Sequence, residues 1–223
     1  MIRIDEQIKR DIVDNLLWND SVDASDVGIE VNNGTVTLNG TVPNYAALVS
    51  AISEIWNVDG VIKINNLIQV KYPEKNKVPS DSDIQIRAEN ILAWNPDLES
   101  SNIQLFVENG VVTLKGSVDT FWKKLKAKSV VTDLKGILLV DNQLVVTPSD
   151  RTIDQSIAAY IMEVLNRKLD IDTSAITVTV LDGKVVLTGI VPSKHAYQDV
   201  YNAAKFTLGV TDVVNSLQIK SAC

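Results

Sequence analysis

One cysteine, one histidine and 5% aromatic residues leave little material for redox, metal or stacking chemistry in a chain of 223 residues. The cysteine is Cys223, the last residue, so the chain forms no intrachain disulfide and no cysteine-rich zinc cluster. The histidine, His195, has no second histidine to make a metal pair and reads as a surface side chain. No apolar run approaches the ~20 residues that cross a bilayer. The start, Met1-Ile2-Arg3-Ile4-Asp5-Glu6, is charged and lacks the apolar core of a signal peptide. Taken as it stands, the chain is expected in the cytoplasm, with the periplasm as the alternative if a leader has been removed. The phosphate-binding and nucleophile signatures G-x-x-x-x-G-K-[ST], G-x-S-x-G and G-x-G-x-x-G do not occur. Asp20, Asp23 and Asp26, and Asp170 with Asp172, lack calcium-loop spacing and read as solvated loops after a helix. Basic residues are in deficit, 21 against 28 acidic ones, which argues against nucleic acid as a partner. The acidity gathers in residues 1–70, where 4 basic residues face 10 acidic ones. These absences point away from an enzyme, and no cofactor is expected.

What the chain does have is a repeat. Gly34, Gly110 and Gly183 are 76 and 73 positions apart, and Gly40, Gly116 and Gly189 keep the same offsets. So do Gly60, Gly136 and Gly209, and Asn66, Asn142 and Asn215. Apolar positions follow in step: Ile8, Ile84 and Ile157; Val36, Val112 and Val185; Leu38, Leu114 and Leu187. The repeats are placed at 1–70, 81–146 and 150–220. Between them lie a polar linker at 71–80 with Pro73 and Pro79, and a short one at 147–149.

Each repeat predicts the same elements. Ile8, Ile12 and Leu16 recur at helical spacing, as do Ile84, Ala88, Ile91 and Leu92, and Ile157, Ile161, Val164 and Leu165. Two alternating strands follow, such as Val27, Ile29 and Val31, then Val36 and Leu38. They are joined at Asn33-Gly34, Asn109-Gly110 and Asp182-Gly183, dipeptides that suit a type I′ turn. A second helix is expected to be capped by Asn44, Thr120 or Ser193 and to end on Gly60, Gly136 or Gly209 at its C′ position. A third strand carries Ile62, Ile64, Ile68 and Val70 on one face, with Asn66 among them as a structural amide. The fold class is α+β: three tandem αββαβ modules, each a three-stranded mixed sheet with two helices on one face.

At this point the pattern resembles the BON domain (bacterial osmotic-shock and nodulation domain). The residues that carry the likeness run from Val31-Asn32-Asn33-Gly34 through Val36, Leu38, Gly40 and Val42 to Gly60-Val61 and Asn66-Leu67. Val107-Glu108-Asn109-Gly110, Leu114 and Gly116 repeat them, as do Asp182-Gly183, Leu187, Gly189 and Gly209-Val210. The resemblance implies a non-catalytic module proposed to bind phospholipid or membrane surfaces, with many periplasmic relatives linked to osmotic or envelope stress. It brings no catalytic residues.

Two surfaces are candidates for contact. Phe121, Trp122, Lys123, Lys124, Lys126 and Lys128 open the second helix of the middle module, placing aromatics beside cations as an anionic phospholipid surface would require. The second is the sheet face that helices leave uncovered. In the first module it is polar, with Glu30, Thr35, Thr37, Lys63 and Asn65. In the second it shows Phe106, Val111, Leu139 and Val145, and in the third Leu181, Val186 and Val214. These faces are expected to pack modules two and three sheet to sheet, or to bind a partner. The leading expectation is a non-enzymatic binding or scaffolding protein contacting anionic phospholipid. The alternative is a structural protein–protein interaction module acting through the apolar sheet face.

Overall fold

The computed structural model describes residues 4–19, 25–73, 78–148, 153–168 and 170–219. Asp20, Asp23, Cys223 and positions 74–77 of the first linker lie outside them.

The apolar stripes become helices α1 (Asp5–Trp18), α3 (Asp81–Trp94) and α5 (Asp154–Asn166). Each buries three side chains one turn apart: Ile8, Ile12 and Leu16; Ile84, Ala88 and Leu92; Ile157, Ile161 and Leu165. Ile91, counted in the stripe by spacing, turns to solvent, because the apolar face is only one side chain wide. Hairpins follow: β1 (Val27–Asn32) with β2 (Thr35–Val42), then a parallel return strand in two pieces, β3 (Lys63–Asn66) and β4 (Gln69–Val70). The middle module repeats this with β5 (Ile103–Glu108), β6 (Val111–Val118), β7 (Leu139–Asn142) and β8 (Val145–Val146). The last has β9 (Ile176–Leu181), β10 (Lys184–Val191) and an unbroken β11 (Asp212–Ile219). In every sheet the second hairpin strand is central, antiparallel to the first and parallel to the return strand. The crossover is a second helix: α2 (Tyr45–Trp56), α4 (Phe121–Thr132) or α6 (Lys194–Lys205). The expected mixed-sheet α+β architecture is what forms.

The cores follow the alternation. Val36, Leu38 and Val42 on β2 are buried with Ile8, Ile12, Ala51 and Ile55, and the same layering recurs in the other two modules. Asn33 and Gly34 both take positive φ, +47° and +72°, the backbone of a two-residue type I′ turn.

A carboxylate fastens each turn. Asp5, at the first position of α1, accepts hydrogen bonds from the amides of Asn33 and Gly34 at 2.8 and 3.1 Å. Asp81 holds Asn109 and Gly110 at 2.7 and 2.9 Å, and Asp154 holds Asp182 and Gly183 at 2.8 and 2.9 Å. The acid also sits where the helix macrodipole favours negative charge.

Three local expectations are corrected. Gly60 is not the C′ residue of α2. It lies in a turn in which the Val61 amide donates to the Val58 carbonyl, and its φ of +94° places it third in that turn. Thr120 forms no side-chain cap, whereas Asn44 and Ser193 accept from the amides of Ala47 and Ala196. Ile62 is 73% exposed, because it precedes the return strand and lies beside the Gly34 turn outside the core.

The recurrent asparagines are structural. Asn66 Oδ1 accepts from the Ile68 amide, Asn142 Oδ1 from Leu144 and Asn215 Oδ1 from Leu217. Asn142 Nδ2 also donates to the Lys124 carbonyl at 2.7 Å, tying return strand to helix. Asn142→Ala is expected to cost about 1–3 kcal/mol of unfolding free energy in a urea titration. Asn66→Ala should cost less, because Asn66 is exposed and makes the one bond.

Candidate functional site

The lysine-rich helix α4 does not present its aromatics as expected. Phe121 is 6% exposed and belongs to the core of the second module, because it faces inward at the first position of α4. Trp122 is half-buried, with its ring 6.4 Å from Phe206 of the third module at an interplanar angle of 45°. Edge-tilted pairs at this separation are favourable. Neither ring stands fully out from the surface: Phe121 lies in the core and Trp122 is half-buried. Lys123 is paired with Asp119 at 2.7 Å, and its hydrogen bond holds the Asp119 carboxyl below the usual carboxylate range against the opposing effect of burial. Lys124, Lys126 and Lys128 are half-buried and hold no ion pair among the described residues.

Helix α6 is the point where the modules meet. At its N-terminal end, Lys194 Nζ lies 5.1 Å from the ring centroids of both Trp56, in the first module, and Tyr197. Burial pushes the Lys194 ammonium below its usual range, and Asp59 partly offsets this. At the other end, Phe206 meets Trp122. The first linker also docks on module two: Tyr72 Oη accepts from the Gly136 amide and donates to the Ile137 carbonyl, at 2.9 and 3.1 Å. Burial raises the Tyr72 hydroxyl above its usual range.

The second candidate surface stays open. Phe106 is 50% exposed and Leu181 71% exposed; Leu139, Val145 and Val214 are also exposed, and Val111 and Val186 are half-buried. Contrary to the expectation of sheet-to-sheet packing, modules two and three meet on the helix side, where the Trp122 ring approaches Phe206. Register explains the patches. Val111 is opposite Leu139 on one side and Glu108 on the other, with Phe106 two residues along the same strand as Glu108 and on the same face; in the other sheet Val186 is opposite Val214. Lys115 lies over the Phe106 ring, with Nζ 5.7 Å from its centroid. On the first module the matching face forms a shallow polar depression lined by Glu30, Asn32, Thr35, Thr37 and Asn65. Among the described residues no helix is long and apolar enough to cross a membrane.

Three αββαβ units, each closed by its own core and joined through second helices and a linker tyrosine, define a tandem-module protein. The BON domain pattern matches residues 4–72, 80–148 and 153–221, nearly the whole chain, and the chain belongs to the BON domain family. It is 24% identical over 144 residues to osmotically-inducible protein Y of Escherichia coli (strain K12), covering 63% of this chain and 70% of that protein. It is 29% identical over 125 residues to an uncharacterized protein in the gshII 5′ region of Anaplasma centrale, covering 54% and 83%. Among solved structures, CdsD, a structural protein of the type III secretion system of Chlamydia trachomatis, aligns over 97% of this chain and 93% of its own. The identity there is 15% and the TM-score 0.28, so the assignment of family and fold rests on the repeated pattern and the sheets described above.

Proposed function

We propose that this chain is a non-enzymatic scaffold of the BON type that binds protein through the uncovered sheet faces of its second and third modules. The observation that carries this reading is the exposure of Phe106, Leu139, Leu181 and Val214 on faces that no helix covers, while the matching face of the first module is polar. Exposed apolar clusters of this kind mark contact surfaces. A place in osmotic or envelope stress is part of the reading, supported by the likeness to osmotically-inducible protein Y. A photo-crosslinking residue placed at Phe106 or Leu181 in the cells that make the protein should give discrete protein adducts by mass spectrometry. The same residue at Glu30 should give none. Equal labelling at all three positions, or no adduct at Phe106 and Leu181, sinks the proposal.

A second reading is contact with anionic phospholipid through α4, supported by Lys124, Lys126 and Lys128 lying on one short helix without ion pairs among the described residues. Lysines near such a surface contribute about 1 kcal/mol each. Under this reading the protein sediments with anionic but not neutral vesicles. Replacing Lys123, Lys124, Lys126 and Lys128 with glutamate then abolishes sedimentation. Unchanged sedimentation of that variant excludes the helix as the contact.

A further inference from the structure

His195 has ligand-type neighbours that its position in the chain does not announce. Its Nε2 is 3.7 Å from Asp199 Oδ2, and a ligand atom of each of Asp170, His195 and Asp199 falls within 4.8 Å of the others. We propose that these three residues form a site for a divalent transition-metal ion such as zinc. His195 and Asp199 stand one turn apart on α6, the spacing that puts two donors on the same side of a helix. Asp170 reaches them from the turn after α5. One imidazole nitrogen and two carboxylate oxygens are the donor set of a zinc-type ion, with the remaining positions left to water.

Comparison among the modules supports the assignment. Helices α2, α4 and α6 have equal length and begin at Tyr45, Phe121 and Lys194. His195 and Asp199 therefore correspond to Ala46 and Ser50 in the first module and to Trp122 and Lys126 in the second. The fold is built twice without donors at these places, so packing does not require them in the third. Charge points the same way. Two carboxylates converge, and the ammonium of Lys168, 3.1 Å from Asp199, offsets one of them. One negative charge is left for a further cation. Lys168 also competes for the Asp199 oxygen, and the first turn of α6 opposes a cation through its dipole. Both effects limit affinity without changing the donor geometry.

The test uses the full chain, untagged, with Cys223→Ser to remove the thiol. Calorimetric titration with zinc chloride should show one saturable site per chain, and magnesium chloride should show none. His195→Ala and Asp199→Asn should each weaken zinc binding by at least about tenfold. Lys168→Ala should strengthen it, because the competing ammonium is gone. Far-ultraviolet circular dichroism confirms that each variant is folded, and none of the four side chains lies in the core. Absence of saturable zinc binding overturns the site. So does wild-type affinity in the folded double variant His195→Ala/Asp199→Asn, or unchanged affinity in Lys168→Ala. Magnesium binding as strong as zinc overturns the transition-metal assignment.

Discussion

The Gly116→Ala variant is expected to lose the fold of the second module while the first and third keep theirs. Gly116 has a φ of +114°, and a Cβ built there would stand 2.0 Å from the Asn102 carbonyl oxygen. That oxygen belongs to backbone and cannot rotate away. Strain of this kind costs about 1–3 kcal/mol before any steric overlap is counted. A unit of this size is stable by roughly 3–10 kcal/mol at 0.05–0.15 kcal/mol per residue, so strain and overlap together remove most of it. Thermal unfolding followed by circular dichroism should gain an early transition carrying about a third of the amplitude, as one of three modules. A single transition within about 2 °C of the parent would show that the backbone yields, since even 1 kcal/mol moves a domain of this size by several degrees.

The Asp81→Ala variant is expected to lose about 2–3 kcal/mol in urea denaturation, read from the transition assigned to the second module. Two turn amides, of Asn109 and Gly110, lose their shared acceptor, and the start of α3 loses a favourable charge. Asp81→Asn keeps one acceptor oxygen and should recover roughly half of the loss. A change below about 0.5 kcal/mol in Asp81→Ala would mean that water replaces the carboxylate at the turn, as it does at exposed surface sites.

Much of this molecule was readable before its structure was known, for reasons that differ between features. Hairpins and core stripes are local: Asn33-Gly34 prescribes its turn through backbone sterics, and Ile157, Ile161 and Leu165 face one way because a helix turns every 3.6 residues. The Asp5, Asp81 and Asp154 clamps carry the same 76 and 73 offsets as the glycines, but spacing alone does not name their turn partners, since an acid at a helix start passes for an ordinary dipole partner. The sheet faces of Phe106 and Leu181 followed from alternation, but their exposure depended on where the neighbouring module settles. No local period encodes that. Trp122 beside its lysines has the local pattern of an interfacial aromatic, and only the fold brings the Phe206 ring, 84 positions away, to 6.4 Å from it. His195 appeared alone for the same reason: Asp170 is brought to it by the third module's own folding, across 25 residues of chain.

Each clamp ties a turn to an acid only 28 or 29 residues earlier, and each sheet with its helices is drawn from one contiguous stretch of chain. Closing such short loops is fast and entropically mild. During synthesis, the leading unit can therefore be finished on the ribosome before the next has left the exit tunnel, with little time for strands of neighbouring copies to pair wrongly. The number of copies becomes a quantity that gene duplication can raise or lower without redesigning an interior. What each addition must supply is a compatible tryptophan, lysine or tyrosine at the join.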